Sequence, residues 1–173
     1  MSHDCSFLTD VLPDSQVSFG DADRADHSTD WGTETDAIGS SPDAVVRPES
    51  TEDVATVLAA ASERGVPVTP YAAGTSLEGN PVAAFGGVSL DLMRMDEIVE
   101  IRPDDFQIDV EPGVMGSAVD EAAADHGMFF PPLPSSGDFS TIGGMIVNDA
   151  SGQKTVKYGE VADWGLELEG VTA

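Results

Sequence analysis

The sequence predicts an α+β fold in two lobes, the second of them truncated. Three observations predict it. A strand, a capped helix and a second strand follow one another over residues 45–69. Short alternating runs over residues 88–111 then lead into a second helix. Near the end, GLELEGV alternates like a strand and stops at Ala173 before any partner, so an exposed sheet edge is expected. With 173 residues the chain has enough length for one or two compact lobes, each with a core.

Residues 1–40 are polar and weakly periodic, with a short helix expected around Cys5 to Leu12. The first firm unit opens at SPDAVVRPES, where Val45 and Val46 form a strand that Pro48 ends. Ser50 with Asp53 three residues on reads as a capping box. The helix runs to about Arg64 with Val54, Val57, Leu58 and Ala61 on one face, and Gly65 stops it. VPVTP is the next strand, and the unit is of the kind that makes parallel pairs. GGVSLDL and EIVEI read as strands around an acidic turn at Asp96. FQIDVEPG alternates, with Phe106, Ile108 and Val110 on one face. The second helix, Gly116 to His126, exposes Asp120, Glu121 and Asp125 and buries Val119, Ala122 and Ala123. A proline-rich loop, FFPPLPSSGDFSTIGG, then precedes an apolar strand, and IVNDASG, VKYG and DWGLELEGV suggest two more strands.

Charge narrows the function classes. There are 32 Asp and Glu against 7 Lys and Arg, a formal net charge of -25, spread along the chain. Such a surface repels itself at low ionic strength and is relieved by salt, which points to a protein built for a high-salt cytoplasm. The alternative is an acidic protein that simply stays soluble. Only Lys154 and Lys157 lie close together, with Asp149 and Glu160 nearby, so nucleic acid is not an expected partner. No run has the length of a transmembrane segment, and MSHDCSFLTD lacks the basic and apolar regions of a leader peptide. A cytoplasmic protein is expected, peripheral to a membrane at most through a partner. Cys5 is alone and makes no internal disulfide.

Two loops carry the chemical signal. PYAAGTSLEGN, residues 70–80, follows a strand directly. Gly74 permits close approach to the backbone, and Thr75 and Ser76 add hydroxyls. A nest of peptide N–H groups here would suit phosphate oxygens; a plain surface turn is the other reading. The second loop holds Leu133 extended between prolines, offers Ser135 and Ser136, and removes side-chain bulk at Gly143 and Gly144. Together the two suggest a cleft for one elongated phosphate-bearing ligand, with NDASG at its wall. No GxGxxG or GxxxxGK[ST] run is present, and His3, His27 and His126 are too dispersed to read as a metal site. His126 beside Gly127 suits a helix C-terminus. Asp30, Trp31, Asp163 and Trp164 read as packing residues before site residues, and Tyr158 as either.

Six blocks in order bring a family into view. SPDAVVRPESTEDV, VPVTPYAAGTSLEGN, SLDLMRMDEI, DVEPGV, FFPPLPSSGDFSTIGGMIVNDASG and YGEVADWGLELEGV resemble the FAD-binding domain of FAD-linked oxidases. The domain type is that of vanillyl-alcohol oxidase and p-cresol methylhydroxylase, and the likeness is strongest to the D-lactate dehydrogenase and glycolate oxidase subunit group. The resemblance implies a leader, 1–40, packing on an FAD-binding domain, 41–173, that is incomplete at its C-terminal end. It implies that Ala72, Ala73, Gly74, Thr75, Ser76 and Leu77 wrap the pyrophosphate of FAD. It places Pro134, Ser135, Ser136, Ser140, Thr141, Gly143 and Gly144 along the cofactor, with Asn148 and Ser151 close by. Relatives that attach flavin covalently in the first loop carry histidine where this chain has Thr75, so the FAD is expected to be held non-covalently. Leu133 stands where aspartate is frequent, and Lys157 where arginine is.

The resemblance implies oxidation of a 2-hydroxy acid such as D-lactate or glycolate, with no catalytic base to name in this chain. In the family, a separate C-terminal domain supplies most of the substrate pocket, so a downstream or separate chain is an expected partner. Two other classes stay open: a non-catalytic truncated homologue, and a partner-binding module that another chain must complete. Sibling groups act on sugar lactones and cell-wall precursors.

Overall fold

The computed structural model describes residues 2–32 and 41–172. The expected leader boundary at residue 40 and the end at Ala173 lie outside the described residues. The chain divides into two compact units, Met1–Arg94 with Gly170–Ala173, and Met95–Glu169.

In the first unit the order is α1 (Leu8–Val11), β1 (Val17–Ser18), α2 (Asp21–Asp26), β2 (Ala44–Val46), α3 (Thr51–Arg64), β3 (Val68–Tyr71) and β4 (Val88–Asp91). Ser50 Oγ accepts the Asp53 N–H at 3.2 Å, and Gly65 ends α3 in the left-handed conformation at φ 63°. The reciprocal half of the expected capping box is redirected: the Asp53 carboxylate takes the Glu49 N–H at 3.0 Å and Gln16 Nε2 at 3.1 Å. β2 and β3 are both parallel members of one sheet, but they do not pair with each other. β4 lies between them, in the order β1-β2-β4-β3. Ala44, Val45 and Val46 are buried, as are all four residues of β4, the signature of a strand covered on both faces. Polar as it looks in sequence, the N-terminal segment supplies Phe7, Leu8 and Leu12 to the core beside Val57, Ala60 and Ala61 of α3. Cys5 is buried in that core too.

The second unit contains the antiparallel pair β5 (Ile98–Arg102) and β6 (Gln107–Val110), then α4 (Gly116–Ala124), α5 (Ile142–Val147) and α6 (Thr155–Tyr158). Its core joins Val114, Val119, Ile142, Met145 and Val161, with Ile108 and Val110 packed against them. Phe106 departs from the expected alternation. It ends the short 3₁₀ turn Pro103–Asp105 with φ 57° and is 81% exposed. Asp120, expected in solvent, is half-buried because its carboxylate accepts the Phe130 N–H at 2.6 Å.

The chain beyond Thr141 corrects the strand expectations. Ile142–Val147 is a helix, because Thr141 Oγ1 accepts the Gly144 N–H at 3.3 Å and Ile142 and Met145 then fall on one buried face. Val156, Lys157 and Tyr158 of VKYG lie in α6, which Gly159 ends, and residues 164–172 form no strand.

Candidate functional site

β3 ends at Tyr71 and the chain turns at once into residues 72–80. Gly74 is buried and left-handed at φ 63°. Ala72, Ala73, Thr75 and Ser76 are half-buried, while Leu77 is exposed. Among the non-glycine described residues only Phe106 and Asp149 take positive φ, so the two alanines sit in ordinary backbone conformations. Ser76 Oγ accepts the Glu78 N–H at 3.3 Å, which folds the loop tip back on itself.

A buried polar network adjoins this loop. Tyr71 packs its ring 4.4 Å from His27 and donates its hydroxyl to the Asp26 carbonyl at 3.3 Å. Burial, and after it the carboxylates of Asp91, Asp26 and Asp30, raise the Tyr71 phenol above its usual range, so it stays a neutral donor. His27 reaches Asp91 Oδ2 at 3.1 Å and the Asp23 carbonyl at 2.7 Å. Arg47 bridges the same Asp91 oxygen at 3.1 Å and Asp23 Oδ1 at 2.8 Å. With Met93 N–H on its second oxygen at 3.0 Å, the buried Asp91 is fully engaged and fixes the C-terminal end of β4 beside β3.

In the second unit, Ser140 donates to Ser136 at 2.8 Å, and both Ser140 and Thr141 are buried. Gly143 cannot carry a side chain, since a Cβ there would stand 2.7 Å from that of Pro112. Gly144 is exposed at the first turn of α5. Pro134 is half-buried, and Ser135 is exposed. Ser136, Ser140, Thr141, Gly143 and Gly144 therefore form one stretch of hydroxyls and bare backbone. Asn148 and Ser151 stand apart from it, exposed past the other end of α5, a helix about 9 Å long. Asp149 turns this end with φ 44° and accepts the Ala162 N–H at 2.9 Å.

Tyr158, open to either reading in sequence, packs edge-on against Phe129 at 5.5 Å and accepts Lys157 Nζ at 2.8 Å. Trp164 donates its indole N–H to the Tyr158 carbonyl at 2.9 Å. Asp30 and Trp31, read first as packing residues, bond the Tyr71 loop directly: Gly79 N–H reaches Asp30 Oδ2 at 2.7 Å, and Trp31 N–H reaches the Gly74 carbonyl at 3.0 Å. A sequence separation of 49 residues leaves no local signal for such a contact.

The first loop combines small side chains at 72–76, the hydroxyls of Thr75 and Ser76, and a left-handed glycine at Gly74. Among the described residues no group of three His, Cys, Asp or Glu is placed to hold a metal ion, and no helix is long and apolar enough to cross a membrane.

Comparison with known proteins agrees with the resemblance. Residues 42–173 match the family model described as FAD binding domain. Over 134 residues the chain is 38% identical to the glycolate oxidase subunit GlcD of Bacillus subtilis, covering 78% of this chain and 28% of that protein. Over 168 residues it is 35% identical to a probable mitochondrial D-lactate dehydrogenase of Danio rerio, covering 97% and 33% respectively. The chain thus spans a third or less of the length of these relatives. An alkyldihydroxyacetonephosphate synthase shares the fold with a TM-score of 0.81 at 23% identity, over 91% of this chain and 34% of its own. The chain belongs to the FAD binding domain family, as an FAD-linked oxidase domain of the p-cresol methylhydroxylase type related to D-lactate dehydrogenases and glycolate oxidase subunits.

Proposed function

We propose that this chain is the FAD-holding part of an oxidoreductase that converts a 2-hydroxy acid, D-lactate or glycolate, to the 2-oxo acid. The observation that carries the reading is the loop after β3, where Gly74 is left-handed among small and hydroxyl side chains. Ala72 to Leu77 would hold the pyrophosphate through peptide N–H groups, without a general positive field to help. Ser136, Ser140, Thr141, Gly143 and Gly144 would line the cofactor, with Pro134, Ser135, Asn148 and Ser151 at its margin. Thr75 offers no ring nitrogen for a covalent flavin bond, which supports a non-covalent FAD. The substrate class rests on the names of the relatives above.

Bound FAD supplies a hydride acceptor for the C2 hydrogen of the substrate. The role of this chain is to bind and orient the cofactor. A second reading, a flavin site completed by another polypeptide, is supported by Val147, Val156, Leu166 and Leu168. Each of these is at least 66% exposed in the second unit.

A titration of the purified chain with FAD in molar KCl, followed by flavin fluorescence and visible absorption, tests the proposal. Saturation at about one FAD per chain supports the cradle. Absence of binding by the chain alone, followed by binding once a completing chain is added, selects the second reading. Absence of binding in both overturns both readings.

A further inference from the structure

The segment that meets the Tyr71 loop lies upstream of the matched region 42–173. It touches the loop at both ends and in the middle. At one end Trp31 N–H donates to the Gly74 carbonyl at 3.0 Å. At the other, Gly79 N–H donates to Asp30 Oδ2 at 2.7 Å. Between them the bare Cα of Gly32 lies against the main chain of Leu77, so closely that a Cβ would stand 2.6 Å from the Leu77 carbonyl carbon. Upstream of these contacts, the Asp26 carbonyl accepts the Tyr71 hydroxyl and His27 packs on its ring.

An aspartate beside an anion-binding loop invites the opposite reading, repulsion of the ligand. The geometry answers it. Asp30 Oδ1 accepts Gly32 N–H at 3.1 Å while Oδ2 accepts Gly79 N–H, so peptide dipoles engage both oxygens. The carboxylate ties its own strand of chain and the loop into one turn. A run of alanine, glycine, threonine and serine has few side-chain contacts with which to hold a shape of its own, and the upstream segment provides the restraint.

We propose that Asp30, with the peptide of Trp31 and the bare Cα of Gly32, fixes the loop Gly74–Gly79 in the form that receives the diphosphate of FAD. Asp30 is then a positioning residue for the cofactor. The proposal rests on the flavin reading above.

The test uses the full chain as wild type, Asp30→Asn and Gly32→Ala. Amide exchange is read without flavin at the loop and at the strands Ala44–Val46 and Val88–Asp91, and FAD affinity is read by fluorescence. Asp30→Asn should speed exchange at residues 74–79 and raise the Kd for FAD about tenfold, the scale of one charge-assisted hydrogen bond. Exchange in the core strands and the visible spectrum at saturating FAD should match wild type. Gly32→Ala, which keeps the carboxylate and pushes on Leu77, should weaken FAD in the same direction. Wild-type affinity in both variants, or tighter binding in Asp30→Asn, overturns the brace. Faster loop exchange with unchanged FAD affinity also overturns it, because the loop would then not be the diphosphate seat. A wild-type chain that binds no FAD, alone or completed, sinks the flavin reading and the proposal with it, an outcome distinct from a failed brace on a flavin-binding wild type.

Discussion

Gly74 leaves room for the hydroxyl of Tyr71: a Cβ at position 74 would overlap Tyr71 Oη and stand 3.1 Å from Cζ. The glycine is therefore required twice, once for its left-handed φ of 63° and once for the phenol beside it.

Gly74→Val tests the loop. A β-branched residue at positive φ costs on the order of 1–2 kcal/mol of backbone strain and displaces the Tyr71 ring from its contact with His27. The sheet should survive, because β3 pairs with β4 through residues before the loop. The expected result is a loss of about tenfold or more in FAD affinity, with a far-UV spectrum close to wild type. Affinity retained by the variant would show that the pyrophosphate lies elsewhere.

Helix α3 was legible because its signals are local: a serine cap, a 3.6-residue apolar stripe and a terminal glycine all lie within 50–65. The misread stretches have misleading local signals. Met145, Ile146 and Val147 look like a strand by content, yet the Thr141 cap and burial of Ile142 with Met145 make a helix. Leu166 and Leu168 alternate with glutamates but are 76% and 66% exposed, so the pattern has no core face to serve. The insertion of β4 between β2 and β3 and the approach of Asp30 to Gly79 are long-range pairings. Periodicity does not encode them. The two glycine and hydroxyl loops were visible as composition; the groups that shape the first of them were not.

Cys5 gives a prediction with a sign in pH. Burial, then the nearby carboxylates of Asp43 and Asp4, push its thiol up to about 11 from an ordinary 9.0. The folded state favours the neutral thiol. Its contribution to stability is therefore full below the ordinary value and declines as pH rises from there through about 11. Iodoacetamide at pH 8 should label native protein slowly, and the rate should climb in step with unfolding as urea is added. Fast labelling at pH 8 without urea would mean that the N-terminal segment does not hold Cys5 in the core.

Salt dependence follows from how the few cations are used. Arg24, Arg47, Arg64, Arg94 and Arg102 each hold a carboxylate. Lys154 and Lys157 instead lie over the rings of Phe129 and Tyr158. With a net charge of -25, acids such as Glu52, Asp104, Asp105, Glu121 and Asp125 stand exposed in a field that these cations do not balance. Raising KCl from about 0.01 M to 1 M shortens the screening length from roughly 30 Å to 3 Å, which removes repulsion between separate exposed carboxylates. The partly buried Arg47–Asp91 pair is screened less and should keep more of its contribution. Thermal unfolding followed by circular dichroism should show Tm rising by about 5 °C or more across that range, on the order of 1–2 kcal/mol for a chain of this size. A flat response would mean that the acidic surface is tolerated without salt and that adaptation to a salt-rich interior is not its purpose.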